Sequence, residues 1–179
     1  LKTDSLLKQN KVIVFTEFRD TARYLYEQLA ERQDLKDVEE IDSTRKSQTR
    51  EEAIKRFAPY YNCDDDELDE YLKNPVRILI STDVLSEGLN LQDGNIIINY
   101  DLHWNPVRLM QRIGRVDRRI DLKKPVHHDK VYFYNFLPPE ELEELLHLFE
   151  RVSGKVLRIS KTLGLEAPLL KPDDPFEPI

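Results

Sequence analysis

The chain is poor in cysteine, glycine and long apolar runs, and each shortage removes a class of explanation. Its 179 residues include one cysteine, Cys63, so no internal disulfide can staple the fold, and the usage fits a reducing, cytoplasmic compartment. No apolar stretch approaches the roughly 18–20 residues that cross a bilayer, and no signal-peptide pattern opens the sequence. No membrane partner is expected. With only five glycines there is no G-x-x-x-x-G-K-[ST] loop to cradle phosphates, and no acidic D-E-x-x box ends a strand candidate to hold a magnesium ion. Basic charge is in the minority too. The net charge of −7 argues against a free-standing nucleic-acid binder, which would be basic. His103, His127 and His128 lack partners at metal-ligand spacing, and the acidic run Asp64–Glu70 lacks the Asp/Asn-Gly spacing of a calcium loop, so no metal site is expected.

What is present is the composition of one globular domain, with 40% hydrophobic and 34% charged residues. The sequence begins at Leu1 and not at methionine, which suggests a piece of something longer. Charge is unevenly placed. Residues 108–130 carry Arg108, Arg112, Arg115, Arg118, Arg119, Lys123, Lys124 and Lys130 against Asp117, Asp121 and Asp129, while the acid lies earlier.

Strands and helices alternate along the chain. Leu1–Asn10 is a polar lead-in. Lys11–Thr16 (KVIVFT) is an apolar, β-branched run, the mark of a strand buried on both faces. Residues 20–33 place Ala22, Leu25, Tyr26 and Leu29 at helical spacing, with Asp20 or Thr21 as cap. Val38–Ile41 is a second strand candidate. Ser47–Phe57 reads as a helix with Thr49 and Glu52 at capping-box spacing and Ala53, Ile54 and Phe57 as its apolar stripe. Residues 58–74 form an acidic insert, with a short surface helix over 65–73. Val76–Ser81, Asn95–Tyr100 and Lys130–Leu137 are further strands, and Asn105-Pro106 starts a helix. Beyond Pro138-Pro139 a helical extension is expected to about residue 165, followed by a tail over 166–179. This rhythm predicts an α/β domain, a mainly parallel sheet with helices on both faces. Ligands then sit at the carboxyl ends of the strands, where the turns after Thr16, Ser81 and Asp101 share one rim.

The stretch Arg77–Arg119 concentrates the unusual features. Two buried strands feed a helix on which Arg108, Arg112, Arg115 and Arg119 recur at steps of four, three and four. Gly114 sits inside that helix, at a cost of about 1 kcal/mol relative to alanine. A helix that lines up cations around a glycine brings its backbone close to something anionic.

Four runs in order carry a family resemblance over about residues 11–136. Val12–Glu17 resembles motif IV of the superfamily 2 helicases and translocases, and Asp42 through Arg50 and Phe57 resembles the R-x-x-x-I-x-x-F segment that follows it. Ser81-Thr82-Asp83 with Glu87-Gly88-Leu89-Asn90-Leu91 is similar to motif V, and Gln111–Arg118 (QRIGRVDR) is similar to the Q-x-x-G-R-x-x-R of motif VI. Asp101-x-x-Trp104-Asn105-Pro106 is close to the D-x-x-W-N-P run of Swi/Snf-related DNA translocases. One departure is Asp42-Ser43-Thr44, where the family commonly has D-G-S/T.

The resemblance implies the second, C-terminal RecA-like lobe of an ATP-driven motor, a three-layer P-loop-NTPase-like fold spanning residues 11–137. It implies that Arg115 and Arg118, with Gln111 one turn earlier, are arginine fingers toward ATP. Such fingers are worth roughly 10³–10⁵ in rate. It further implies that Gly88, Asn90 and Gly114 border the nucleotide, that Mg²⁺ is held by an upstream lobe, and that Thr16, Arg50, Ser81 and Thr82 touch a nucleic-acid backbone, with double-stranded DNA favoured. Backbone contacts carry no sequence information, so binding is expected to be sequence-independent and salt-sensitive. Lacking the phosphate loop, this chain alone is expected to hydrolyse nothing. The alternative is a non-catalytic scaffold that keeps the fold.

Overall fold

The computed structural model describes residues 5–32, 35, 37–42, 44–83, 90–101, 103, 105–118, 123–126, 128–136, 151, 154 and 155. Five strands form one sheet: β1 (Val12–Thr16), β2 (Val38–Ile41), β3 (Ile78–Thr82), β4 (Ile96–Asn99) and β5 (Tyr132–Asn135). Their order is β2-β3-β1-β4-β5, and all four pairings are parallel. Register aligns the carboxyl ends, with Thr16 opposite Thr82, Ile41 opposite Ser81, and Asn99 opposite both Phe15 and Asn135.

The strands are apolar on both faces because both faces are covered. Alternation divides them between two cores. Val12, Val14, Ile78, Ile80, Ile96 and Ile98 point to one face, under Ala22, Leu25 and Leu29 of α2 (Arg19–Ala30). Ile13, Phe15, Ile41, Leu79 and Ile97 point to the other. There they meet Ala53, Ile54 and Phe57 of α3 (Ser47–Phe57) and Leu109, Ile113 and Val116 of α6 (Pro106–Val116). Each fully buried Ile or Phe contributes about 1.5–3 kcal/mol by removal from water. The result is the expected three-layer α/β arrangement. Gly94, in the turn before β4, lets the Phe57 ring pass, since a Cβ there would lie 2.8 Å from it.

Local differences from the sequence reading have physical causes. The lead-in contains a helix, α1 (Ser5–Gln9), whose Leu6 and Leu7 pack on the first core. The first turn of α2 is not capped by Asp20 or Thr21. Asp101 takes the Glu17 N–H (2.8 and 3.0 Å), and Phe18 is the N-cap residue. The Thr49–Glu52 capping box does not form, because α3 begins at Ser47 and puts Thr49 at its third position. The turn before α3 is closed instead by the Asp42 carboxylate, which accepts from Thr44 N (2.7 Å), Thr44 Oγ1 (2.6 Å) and Arg45 N (3.1 Å). Burial pushes that carboxyl up, but these bonds and the charge of Arg19 outweigh it and leave Asp42 below its ordinary value.

Over residues 58–74 the surface helix appears as α5 (Asp65–Lys73), fastened to α3 by Lys55–Glu67 (2.8 Å) and by Tyr71 Oη donating to Glu52 (2.8 Å). Before it runs a single-turn helix, α4 (Pro59–Asn62), which is not purely superficial: Ala58 and Pro59 are buried. The expected C-terminal helices and tail, 138–179, lie outside the described residues except 151, 154 and 155.

Candidate functional site: a strand-end rim around α6

The carboxyl ends of β1, β3 and β4 are tied together by polar bonds. Asp101, just past β4, accepts from Thr16 Oγ1 (2.5 Å) as well as from Glu17 N, so the ends of β1 and β4 are linked. At the end of β3, Asp83 receives Arg112 of α6 through two parallel bonds, Nε to Oδ1 at 2.7 Å and Nη2 to Oδ2 at 3.0 Å. Arg112 Nη1 donates to Asn99 Oδ1 (2.7 Å), and its guanidinium lies 5.2 Å from the centre of the Phe15 ring. Arg112 is 2% exposed. A buried, fully paired arginine that reaches strands β1, β3 and β4 sets where α6 sits on the sheet.

With Arg112 turned inward, the outer side of α6 carries Gln111 and Gly114, both exposed, and half-buried Arg115. Asn105 starts the helix as expected, accepting from Val107 N (3.0 Å), with Pro106 at its first position. The helix ends at Val116, so Arg118 lies beyond it and not on its side as the spacing alone suggests. Its side chain turns back: Arg118 Nε donates to the Gly114 carbonyl (3.2 Å) and Nη1 donates to Asn90 Oδ1. The next residue along, Leu91, donates its N–H to the Arg115 carbonyl (3.1 Å). Two sequence segments expected to share a site therefore touch, Asn90-Leu91 against the last turn of α6. Around Gly114 a Cβ would meet nothing within 4 Å, so no packing within the described chain accounts for the glycine. The arrangement sets the Arg118 guanidinium and the Asn90 side chain beside the open backbone of Gly114, with Leu91 bound to the Arg115 carbonyl. Gly88, Trp104 and Arg119 lie outside the described residues.

The four residues expected to touch a nucleic-acid backbone divide into two pairs. Thr16 and Ser81 are fully buried, and their hydroxyl hydrogens go to Asp101 and to the Thr82 carbonyl (2.7 Å) respectively. Phosphate oxygens only accept, so neither hydroxyl is free to donate to one. Thr82 Oγ1 and Arg50 Nε, by contrast, are buried polar atoms with no hydrogen-bond partner. Buried donors left in that state are uncommon. Among the described residues, no set of three or more His, Cys, Asp or Glu side chains is placed to hold a metal ion.

Sequence reasoning named Arg112 and Asp101 only as members of motifs, without their tying roles, and passed over Asn62. For Arg112 a signal existed. It stands between Leu109 and Val116 at i+3 and i+7 spacing, on the apolar side of α6, and Asn99 is a lone polar residue ending an isoleucine strand. Counting cations alone put Arg112 in a stripe with Arg115.

Parallel strands, covered faces and a cation-bearing helix beside the strand ends define a RecA-like lobe. The chain matches the family described as "Helicase conserved C-terminal domain" over residues 2–119, and it belongs to that family, the C-terminal lobe of superfamily 2 ATP-dependent helicases. It is 32% identical over 166 residues to the Bacillus subtilis (strain 168) protein named "Uncharacterized ATP-dependent helicase YqhH", a match covering 87% of this chain. The match spans 26% of that relative, about a quarter of its length. It is also 28% identical over 114 residues to "Putative ATP-dependent DNA helicase fml2" of Schizosaccharomyces pombe, covering 63% of this chain and 14% of that one. Among solved structures, the C-terminal part of the Fun30 ATPase domain superposes with a TM-score of 0.60 at 23% identity, covering 82% of this chain and 41% of that one. That likeness speaks for the fold.

Proposed function

We propose that this chain is the C-terminal lobe of an ATP-dependent, duplex-DNA translocase or helicase. In the proposed mechanism ATP and its Mg²⁺ are bound by an upstream lobe of the same protein, which supplies the phosphate loop absent here. Arg115 and Arg118 reach across from this lobe and neutralise charge that spreads over the terminal phosphate oxygens, with Gln111 beside them. Gly88, Asn90 and Gly114 border the nucleotide, and the open backbone at Gly114 gives it room. The observation that supports the reading is the contact between two separate motifs: Arg118 bonds both Gly114 and Asn90, and Leu91 bonds the Arg115 carbonyl.

Nucleic acid lies along the strand-end rim in this reading. Arg50 and Thr82 donate to its phosphates, while Thr16 and Ser81 shape the strand ends beneath. The preference for duplex DNA rests on the Asp101–Pro106 run and on Leu89-Asn90-Leu91, which resemble the Swi/Snf relatives. Residues 11–137 form the working lobe, residues 138–165 an extension, and the setting is the cytoplasm. Hydrolysis by the full-length protein should rise on addition of double-stranded DNA and stay low with RNA. Stimulation by RNA alone would overturn the DNA assignment. The isolated chain should hydrolyse no ATP under either condition.

A further inference from the structure

We propose that Asn62, at the end of α4, is a positioning residue for Arg118 that acts through Asn90; the inference rests on reading Arg118 as a residue that meets the ATP phosphates. The Asn62 side chain engages both main-chain polar groups of Asn90. Its Nδ2 donates to the Asn90 carbonyl (2.8 Å), and its Oδ1 accepts from the Asn90 N–H (3.1 Å). The same Nδ2 donates to the carbonyl of Ala58 (2.7 Å), a fully buried residue, so the clamp is anchored in the core. One residue further, Leu91 is held by the Arg115 carbonyl and its side chain is 1% exposed. The Asn90 backbone is thus fixed from two sides, and this directs its side-chain oxygen at Arg118.

Arg118 needs that support. It is exposed, lies past the end of its helix, and has two bonds of its own, one to Gly114 and one to Asn90. Those bonds use Nε and one Nη1 hydrogen, and the planar guanidinium keeps further N–H groups for an incoming acceptor. A long side chain held in place before the acceptor arrives loses less freedom on meeting it. Position 62 belongs to the stretch between α3 and β3, so a segment outside the recognised motifs contributes to the geometry of the finger. Asparagine suits the position because one amide both donates and accepts. An aspartate would keep the acceptor but set a carboxylate against the Ala58 and Asn90 carbonyls.

The test is ATP turnover, at saturating double-stranded DNA, by four forms of the full-length protein: wild type, Asn62→Ala, Arg118→Ala and the double variant. Asn62→Ala should lower kcat about five- to thirtyfold, the effect of losing modest pre-organisation, with little change in the KM for ATP. In the Arg118→Ala background the same change should have almost no further effect, because the two act in one chain of contacts. Asn62→Asp, which keeps the side-chain size, should lower kcat in the same direction, and thermal unfolding shows that each form is folded. An unchanged kcat in both Asn62 variants, with Arg118→Ala damaging, would overturn the inference alone. So would an Asn62→Ala loss that persists in full without Arg118, since that marks a merely structural role. An Arg118→Ala protein with wild-type turnover would instead sink the finger assignment on which the inference stands.

Discussion

Arg112 and Asp83 meet through two parallel hydrogen bonds of 2.7 and 3.0 Å, a fork that joins α6 to the end of β3. The arginine is buried and its third partner is Asn99. Removing one member of such a pair leaves a buried charge uncompensated, which costs about 3–5 kcal/mol. Arg112→Ala removes the buried member and leaves Asp83, 19% exposed, and the Asn99 amide oxygen without this partner, so it should destabilise the chain by less, about 1–3 kcal/mol in urea unfolding. Arg112→Lys should recover only part of it, since an ammonium cannot reproduce the fork. A loss below about 1 kcal/mol in the alanine variant would show that the pair does not hold α6 in place.

Gly114 separates stability from function. With nothing within 4 Å of a Cβ and a helical position, Gly114→Ala should raise stability by up to about 1 kcal/mol. In the full-length protein it should also lower nucleic-acid-stimulated ATP turnover, by about tenfold or more, by crowding the nucleotide side of α6. A more stable variant with unchanged turnover would show that the open backbone is not used.

Asp93 makes the fold sensitive to pH. Its carboxylate sits in the turn before β4, 3.9 Å from Lys11 Nζ, with Oδ1 unpartnered. Burial pushes its pKa up to about 6 from 3.8, against the attraction of Lys11, and burial likewise pulls Lys11 below its usual value. Both shifts say that desolvation outweighs this loose pairing. A raised carboxyl pKa means the folded state gains a proton before the unfolded state does. That stabilisation is complete below the unfolded value of 3.8 and is lost as pH rises through about 6. Asp93→Asn should consequently be more stable than wild type near neutral pH, by about 1–3 kcal/mol, and the gap should close on acidification to below about pH 4. Denaturant midpoints across that range measure it, and a constant gap would contradict the assignment.

Much of this was legible in the sequence, for identifiable reasons. A strand buried on both faces announces itself as an unbroken apolar run, so β1, β3 and β4 could be read within a residue or two. Asn105-Pro106 gave the start of α6, because capping is local chemistry. What stayed hidden depended on distant partners. Asp101 holds the turn after β1 from 84 residues away, and α2 begins at Arg19, which puts the cap candidates Asp20 and Thr21 inside its first turn. Arg112 looked like one more exposed cation until its partners on β3 and β4 were in view. Thr16 and Ser81 sit at the right strand ends, yet their hydroxyls are spent inside the fold. The path of Arg118 was not legible either, since the helix stops two residues before it and the side chain returns through Gly114 and Asn90.

The central claim is that this lobe completes the ATPase centre of a larger protein with arginines. The most direct measurement is steady-state ATP turnover of the full-length protein, with saturating double-stranded DNA, for wild type and Arg115→Ala. Turnover should fall by about 10³-fold or more while the unfolding midpoint stays close to wild type. A folded Arg115→Ala protein that turns over ATP at the wild-type rate would contradict the account.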